Sequence, residues 1–215
     1  MLDGPRLPPL SGNARQLVIM LHGYGSNGAD LISLAPAWRA ALPDAAFAAP
    51  NAPESCPGFF GAYQWWALTG FDRSELSAGA ARAGPTLDAF LDEELARHGL
   101  SEDRLLLVGF SQGTMMALQV GLRRERPLAG IVGYSGALAD AGSLSSEVRS
   151  RPPVLLVHGD ADPMVPVQSM VLARDTLVAL DIEVETHVSK GLGHSIDPAG
   201  VEAGVRFALR TLLSD

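Results

Sequence analysis

The sequence of 215 residues lacks the features that mark several classes of protein. It has a single cysteine, Cys56, so no disulfide can form within the chain, and we expect a cytoplasmic protein from a reducing compartment. It has no run of about 18 apolar residues, which predicts that no segment spans a membrane. The first ten residues contain three prolines and no apolar stretch of the length found in signal peptides.

Basic residues are also scarce. Lysine and arginine number 16 against 24 acidic residues, which argues against a nucleic-acid partner because phosphate binding requires a basic face. Cysteine and histidine do not cluster at metal-binding spacings, so we expect no metal and no other cofactor. The composition is that of a globular protein, with 47% hydrophobic residues, and the length suits one core. We therefore predict a single domain over 1–215, with 1–15 as an N-terminal edge segment.

Short apolar runs alternate with helical patterns along the whole chain. The patterns predict strands at Gln16–Leu21, 45–49, 104–108, 128–134, 154–158 and 182–188, and helices at 29–42, 76–98, 112–124, 168–180 and 201–213. Pro85 is predicted to break or kink the second helix, and 50–70 is predicted to be a loop. This alternation predicts an α/β protein with a mostly parallel central sheet and helices on both faces. Ligands of such sheets bind beyond the carboxyl ends of the strands.

The pentapeptide Gly-Phe-Ser-Gln-Gly at 109–113 lies between a predicted strand and a predicted helix. A serine at such a turn is held in a strained conformation with its hydroxyl exposed, and glycines on both sides let strand and helix pack closely. The N-terminus of the helix also favours negative charge beside the serine. The pattern predicts that Ser111 is a nucleophile, whereas the alternative is an ordinary turn with a serine near the N-cap.

The first strand ends in a second glycine-flanked turn, Leu-His-Gly-Tyr-Gly at 21–25. The backbone N–H groups of Tyr24 and of Gln112, which directly follows Ser111, are predicted to form an oxyanion hole. A plain tight turn is the alternative for this segment. We interpret His22 as a structural hydrogen-bonding residue inside the turn.

Two further strand ends carry residues that could complete a catalytic triad. Asp160 and Asp162 follow the strand at 154–158, and one of them could orient an imidazole while the other serves as a turn residue. His158 is interpreted as structural. His194 follows the last strand on a glycine-rich loop from which it could reach the serine. The order serine, aspartate, histidine along the chain is that of α/β-hydrolases.

The motifs at 21–25, 109–113, 158–166 and 193–194 together resemble those of the bacterial phospholipase/carboxylesterase family. The segments 50–53 and 64–66 match it as well, and the resemblance covers the chain from about residue 16 to the C-terminus. Relatives of this family in the α/β-hydrolase superfamily include acyl-protein thioesterases and lysophospholipases. The resemblance implies an α/β-hydrolase fold.

The resemblance also implies roles for single residues. It makes Asp162, not Asp160, the triad acid, because the family pattern is H-G-x-x-D-x-x-V-P, and it makes Tyr24 and Gln112 the oxyanion donors. Tyr24 stands where the thioesterases usually have leucine. Ala67 stands where the family usually has aspartate, so the substrate pocket is the part of the pattern from which this sequence departs.

Aromatic residues are dense in the loop at 56–68. This density predicts a wall over an apolar substrate pocket, and we assign Trp65, Trp66 and Met164 as substrate-binding residues. The alternative is a hydrophobic flap that only covers the core. Met115, in the helix after the serine, is interpreted as a core residue.

These observations together predict a serine carboxylesterase without a large cap domain, acting on short- to medium-chain acyl esters. Ser111 attacks the carbonyl, His194 takes the proton and Asp162 holds the imidazole. Protein depalmitoylation or lysophospholipid hydrolysis is an alternative, and an aminopeptidase of the same superfamily is another. A catalytically idle hydrolase fold used for binding is the alternative outside enzymes. The expected partner is a small acyl ester or thioester, and a homodimer is possible.

Overall fold

The computed structural model describes residues 2–70 and 72–213. Residue 1 of the predicted edge segment and the last two residues of the predicted domain lie outside these ranges. The strands of the central sheet are β1 Arg6–Leu7, β2 Gln16–Leu21, β3 Ala45–Ala48, β6 Leu105–Phe110, β7 Gly130–Tyr134, β8 Val154–Gly159 and β9 Val184–Ser189. A separate hairpin pairs β4 Glu54–Ser55 with β5 Tyr63–Gln64.

The central sheet has the strand order β1-β3-β2-β6-β7-β8-β9. Its strands run parallel except β1, which pairs antiparallel with β3 at one edge. The α-helices within the described ranges are α1 Gly28–Leu31, α2 Ala35–Ala41, α3 Arg73–His98, α4 Gln112–Gly121, α5 Ala141–Glu147, α6 Val167–Val178 and α7 Pro198–Leu213.

Each face of the sheet is covered by its own core. Every residue of β2 is buried, and alternate side chains point to opposite faces. Leu17 and Ile19 belong to the cluster under α3, α4 and α6, whereas Val18 and Met20 belong to the cluster under α2 and α7. A parallel strand buried on both faces reads as a continuous apolar run, which is why this segment was recognisable. The predicted α/β class and mostly parallel sheet with helices on both faces are confirmed, and β7 and β8 are joined through the short helix α5 without a cap domain.

Helix α3 runs through Pro85 without interruption, so the break predicted there is wrong. Proline removes the N–H that would bond the carbonyl of Ala81, one turn earlier. Both Ala81 and Pro85 are exposed, so this carbonyl lies on the solvent side of the helix, where water can supply the missing donor. The opposite side of the helix buries Ala83 and Leu87, and this packing holds the helix together across the proline.

The helix predicted at 29–42 is instead α1 and α2, separated by the 3-10 turn Ile32–Leu34. Pro36 lies in the first turn of α2, where its missing N–H would have no intrahelical acceptor in any case. Helix α5 was not predicted, and it begins where the carboxylate of Asp140 accepts the N–H of Ser143 at 3.1 Å. Its small polar residues give a weak helical pattern.

Candidate active site

Ser111 lies at the turn between β6 and α4. Its φ of 54° and ψ of −116° fall in a region that residues with a side chain rarely adopt. Its N–H donates to the carbonyl oxygen of Tyr134 on the neighbouring β7 at 2.9 Å, which fixes the turn to the sheet. Its hydroxyl makes no hydrogen bond within 2–70 and 72–213 and lines a cavity. The strained backbone thus presents a free hydroxyl, as predicted from the pentapeptide.

The two glycines that flank this turn are required by close backbone contacts. A Cβ on Gly109 would lie 2.5 Å from the backbone of Gly113, and a Cβ on Gly113 would lie 1.9 Å from the carbonyl oxygen of Leu21. No side chain fits at these distances, so β2, β6 and the start of α4 can approach this closely only with glycine at both positions.

The turn after β2 is fixed by His22, which is completely buried. The N–H of Ala52 donates to Nε2 at 2.9 Å, so Nδ1 carries the proton and donates to the carbonyl oxygen of Gly23 at 2.7 Å. Burial lowers the pKa of His22 and so keeps the ring neutral. His22 is therefore a structural residue of this turn, as predicted.

The backbone N–H groups of two residues near the serine have no hydrogen-bond acceptor within 2–70 and 72–213. That of Tyr24 makes no hydrogen bond to any described residue, and that of Gln112 belongs to the first residue of α4, which has no intrahelical acceptor. Tyr24 and Gln112 line the same cavity as Ser111. The N-terminal dipole of α4 adds a further preference for negative charge at this point.

Asp162 and His194 come together from the loops after β8 and β9. Nδ1 of His194 lies 2.7 Å from Oδ2 of Asp162, and Oδ1 of Asp162 accepts the N–H groups of Met164 at 2.8 Å and of Val165 at 2.9 Å. Burial alone would raise the pKa of Asp162, but the hydrogen bonds from His194 and the two N–H groups outweigh it and lower the pKa. Asp162 is thus an ionised acceptor, and it leaves Nε2 of His194 to the cavity.

The neighbouring Asp160 has other contacts, whereas His158 also approaches Asp162, with its Nε2 3.5 Å from Oδ2 of that carboxylate. Asp160 is exposed and accepts the N–H of Gly191 at 2.5 Å, so it ties the loop after β8 to the loop after β9. His158 is buried, and its Nε2 lies 2.8 Å from the carbonyl oxygen of Val165. Asp162 thus contacts His194, whereas Asp160 holds a turn.

A cavity of about 440 Å³ opens at the carboxyl edge of the sheet. Its wall comes from the turns and loops that follow the strands, together with parts of α1 and α4. The lining residues are Gly23, Tyr24, Ser26, Asp30, Leu31, Ser33, Leu34, Leu68, Phe110, Ser111, Gln112, Met115, Met164, Val165, His194, Ser195 and Ile196. The ring of His194 packs on that of Phe110 with the centroids 4.9 Å apart, which places the imidazole next to the serine turn.

The assignment of Trp65 and Trp66 to the substrate pocket requires correction. Both side chains are in the core, with 1% and 0% of their surface exposed, and neither lines the cavity. Trp66 packs so tightly on α3 that a Cβ on Gly79 would lie 2.3 Å from the indole. The exposed aromatic residues of this segment are Phe59 and Phe60, at the tip of the hairpin. The alternative, in which the loop covers the core, describes the two tryptophans.

Met164 does line the cavity, with 56% of its surface exposed, as its assignment requires. Met115 is a core residue, as interpreted, with 4% of its surface exposed, and it also lines the cavity. It lies four residues after Ser111 on the same face of α4, and this spacing could have revealed it. Asp30, from α1, was not anticipated, and nothing in its local sequence distinguishes it from a surface carboxylate.

The side chain of Gln112 was also not anticipated. It is buried, its Oε1 accepts the N–H of Trp65 at 2.9 Å, and its Nε2 donates to the carbonyl oxygen of Trp66 at 2.9 Å. Among the described residues, no three His, Cys, Asp or Glu side chains are grouped as a metal ion would need. None of the described helices combines the length and hydropathy that a membrane span demands.

Comparison with known proteins identifies the family of the chain. The sequence model of the phospholipase/carboxylesterase family matches residues 7–211. The chain belongs to this family. It is 32% identical over 203 residues to acyl-protein thioesterase 1 of Schizosaccharomyces pombe, with 88% of each protein covered. It is 29% identical over 211 residues to acyl-protein thioesterase 1 of Neurospora crassa, with 89% of this chain and 84% of the relative covered.

Solved structures give the same answer for the fold. Esterase PE8 matches with a TM-score of 0.95 and 45% identity, covering 98% of this chain and 99% of the other. The Bacillus cereus carboxylesterase matches with a TM-score of 0.78 at 19% identity, covering 98% and 95%, and supports the fold alone. The protein is thus an α/β-hydrolase, an enzyme of the esterase and thioesterase type.

Proposed function

We propose that the protein is a serine carboxylesterase that hydrolyses short- to medium-chain acyl esters through an acyl-enzyme on Ser111. One observation carries the proposal. Ser111, His194, Tyr24 and Gln112 line one cavity, the Ser111 hydroxyl and the N–H groups of Tyr24 and Gln112 have no partner among the described residues, and Asp162 holds the imidazole from behind. The single domain predicted over 1–215 is consistent with it, because each of these groups follows a strand of one sheet.

In the proposed first step, Ser111 Oγ attacks the carbonyl carbon of the ester. Nε2 of His194 takes the hydroxyl proton, since Nδ1 is occupied by Asp162. The carbonyl oxygen becomes an oxyanion that accepts the N–H groups of Tyr24 and Gln112, and such donors stabilise it by about 3 kcal/mol each. The intermediate collapses when His194 returns its proton to the leaving alcohol, which leaves the acyl group on Ser111.

In the second step, water replaces the alcohol. His194 removes a proton from the water, the resulting hydroxide attacks the acyl carbonyl, and the same two N–H groups hold the second oxyanion. His194 then protonates Ser111 Oγ as the acid leaves. The lowered pKa of Asp162 keeps its carboxylate charged throughout, so that it can stabilise the imidazolium that forms twice in each cycle.

The size and lining of the cavity support the proposed chain length. Its volume of about 440 Å³ lies near the lower end of the range for small-molecule sites, about 300–1,000 Å³. Apolar side chains of Leu68, Met115 and Met164 line it and suit an acyl chain. Tyr24 lines the same cavity with 39% of its surface exposed and stands where the thioesterases usually have leucine.

A second candidate function is that of an acyl-protein thioesterase or lysophospholipase. The curated relatives at 27–32% identity carry the first name, and the chain covers 84–100% of their lengths. The same residues would attack a thioester carbonyl in the same way, so the chemistry of the site does not separate the two candidates. The acyl length and the leaving group separate them.

The experiment is a series of kcat/KM values for acyl groups from acetyl to palmitoyl, each as a p-nitrophenyl ester and as a thioester, with Ser111→Ala as the control. We expect the maximum between butyryl and octanoyl, with esters at least as good as thioesters. A maximum at palmitoyl thioesters would favour the second candidate. Absence of any turnover that depends on Ser111, with substrate still bound, would favour the idle binding protein.

A further inference from the structure

Trp65 has contacts that distinguish it from the other two tryptophans of the chain. Trp38, Trp65 and Trp66 are all buried, with at most 1% of their surface exposed. The indole N–H groups of Trp38 and Trp66 have no acceptor in the described structure. That of Trp65 donates to the carbonyl oxygen of His22 at 3.0 Å. A buried hydrogen bond of this kind fixes both partners, because losing it would leave a polar group unsatisfied.

One branch of hydrogen bonds leads from Trp65 to the N–H of Tyr24. Trp65 holds the carbonyl of His22, and the ring of His22 in turn donates through Nδ1 to the carbonyl oxygen of Gly23 at 2.7 Å. That carbonyl and the N–H of Tyr24 belong to the same planar peptide and point in opposite directions. Fixing the carbonyl of Gly23 on the buried side therefore aims the N–H of Tyr24 away from it, towards the cavity.

The other branch leads from Trp65 to the N–H of Gln112. The backbone N–H of Trp65 donates to Oε1 of Gln112 at 2.9 Å, and Nε2 of Gln112 donates to the carbonyl oxygen of Trp66 at 2.9 Å. These two bonds clamp the first residue of α4 against the chain at Trp65. Both bonds use backbone groups of residues 65 and 66, so they hold Gln112 in place whatever side chain stands at 65. The indole of Trp65 then fixes the first turn relative to the N–H of Gln112.

We propose that Trp65 is a positioning residue that sets the distance between the two N–H groups of the oxyanion hole. This proposal rests on the proposed function, since it takes those two groups as the oxyanion donors. Trp65 contacts no substrate, because it is buried outside the cavity. Its effect is on transition-state stabilisation, where a displacement of about 1 Å can cost on the order of 100-fold in rate.

The test compares Trp65→Phe with Trp38→Phe. Both changes remove the same atoms from a fully buried site, but Trp38 lies in the core on the other face of the sheet and loses no hydrogen bond. We expect Trp65→Phe to lower kcat for p-nitrophenyl butyrate by roughly 10- to 100-fold while KM stays within about twofold. A trifluoromethyl ketone of the same acyl length, which forms an oxyanion on Ser111, should bind more weakly in proportion. Trp38→Phe should change neither value by more than about threefold.

Equal kcat values for the two folded variants would overturn the proposal, and so would a raised KM at unchanged kcat, which would make Trp65 a substrate contact. If Trp65→Phe does not fold, Gln112→Met replaces it, since this change keeps the N–H of Gln112 and removes both bonds of its side chain. A fall in kcat at unchanged KM would then support the proposal, and an unchanged kcat would overturn it. Failure of the proposed function is a different result, namely wild-type hydrolysis that Ser111→Ala does not reduce.

Discussion

The serine turn at 109–113 and the hairpin segment at 54–66 are joined by two hydrogen bonds through the side chain of Gln112, but their sequences determine them differently. The serine turn is specified by its own two glycines. A side chain at either position would collide with backbone a few residues away or with the neighbouring strand β2. The hairpin segment has exposed aromatic residues at its tip and buried ones at its base. Contacts with α3 and with the turn after β2 determine which of these aromatic side chains are buried. Local constraints can be read from a sequence, whereas burial set by distant partners cannot.

The largest effect is expected at the serine turn. Ser111→Ala should reduce turnover of p-nitrophenyl acetate by about 10⁶-fold, because the nucleophile is lost. Stability should change little, since the hydroxyl makes no hydrogen bond within the described residues. The measurement is steady-state hydrolysis by the wild type and the variant, after thermal unfolding has shown that both unfold at the same temperature and contaminating esterase has been excluded. Activity near that of the wild type would refute the role of Ser111.

The next largest effect should separate the two aspartates. Asp162→Asn should lower kcat by about 10⁴-fold because it stabilises the wrong tautomer of His194. Asp160→Asn is the matched control, since Asp160 contacts Gly191 and not the imidazole. Both variants are assayed with the same ester at equal folded fraction. A larger loss in the Asp160 variant would reverse the assignment.

Stability should show the contrast between the two regions. Gly113→Ala should lower the free energy of unfolding by about 3 kcal/mol, because the new Cβ would lie 1.9 Å from the carbonyl oxygen of Leu21 and the backbone must move. Phe60→Ser, at the exposed tip of the hairpin, should change it by less than about 0.5 kcal/mol. Urea unfolding of both variants measures the difference. Equal destabilisation would mean that the hairpin tip is packed in solution.

The smallest effect concerns His22, which connects the two regions. Burial lowers its pKa, whereas an unfolded imidazole titrates near pH 6.5. Between the two pKa values the unfolded chain binds a proton that the folded protein does not, so the free energy of unfolding falls as the pH drops below about 6.5. It levels off once the pH passes the folded pKa. Burial lowers the pKa of His98 as well, which acts in the same direction.

Urea unfolding between pH 5 and 7.5 tests this for the wild type, His22→Asn and His98→Asn. We expect the pH dependence to weaken more in the His22 variant, because His22 is fully buried and His98 is partly exposed. A pH dependence that is unchanged by His22→Asn would show that the ring titrates alike in the folded and unfolded states, which would contradict the lowered pKa.

Much of the architecture followed from the sequence, because parallel strands buried on both faces are continuous apolar runs and the motifs lie where these runs end. The errors have separate physical causes. Pro85 was expected to break or kink a helix, but the helix is unbroken and the carbonyl that the proline leaves without a donor lies on its exposed side. Trp65 and Trp66 were predicted to line the pocket because a high density of aromatic residues is typical both of a pocket wall and of a core, and the pattern does not distinguish them. Their burial depends on Gly79 and on the carbonyl of His22, both distant in sequence.

The most direct measurement is the site of covalent labelling by a fluorophosphonate. The reagent reacts with an activated serine, so the intact mass should increase by one adduct, and peptide mapping should locate it on Ser111. Asp162→Asn should slow the labelling strongly, and Asp160→Asn should leave it nearly unchanged. Ester hydrolysis that continues in a protein without an adduct on Ser111, or an adduct on another serine that abolishes it, would contradict the mechanism.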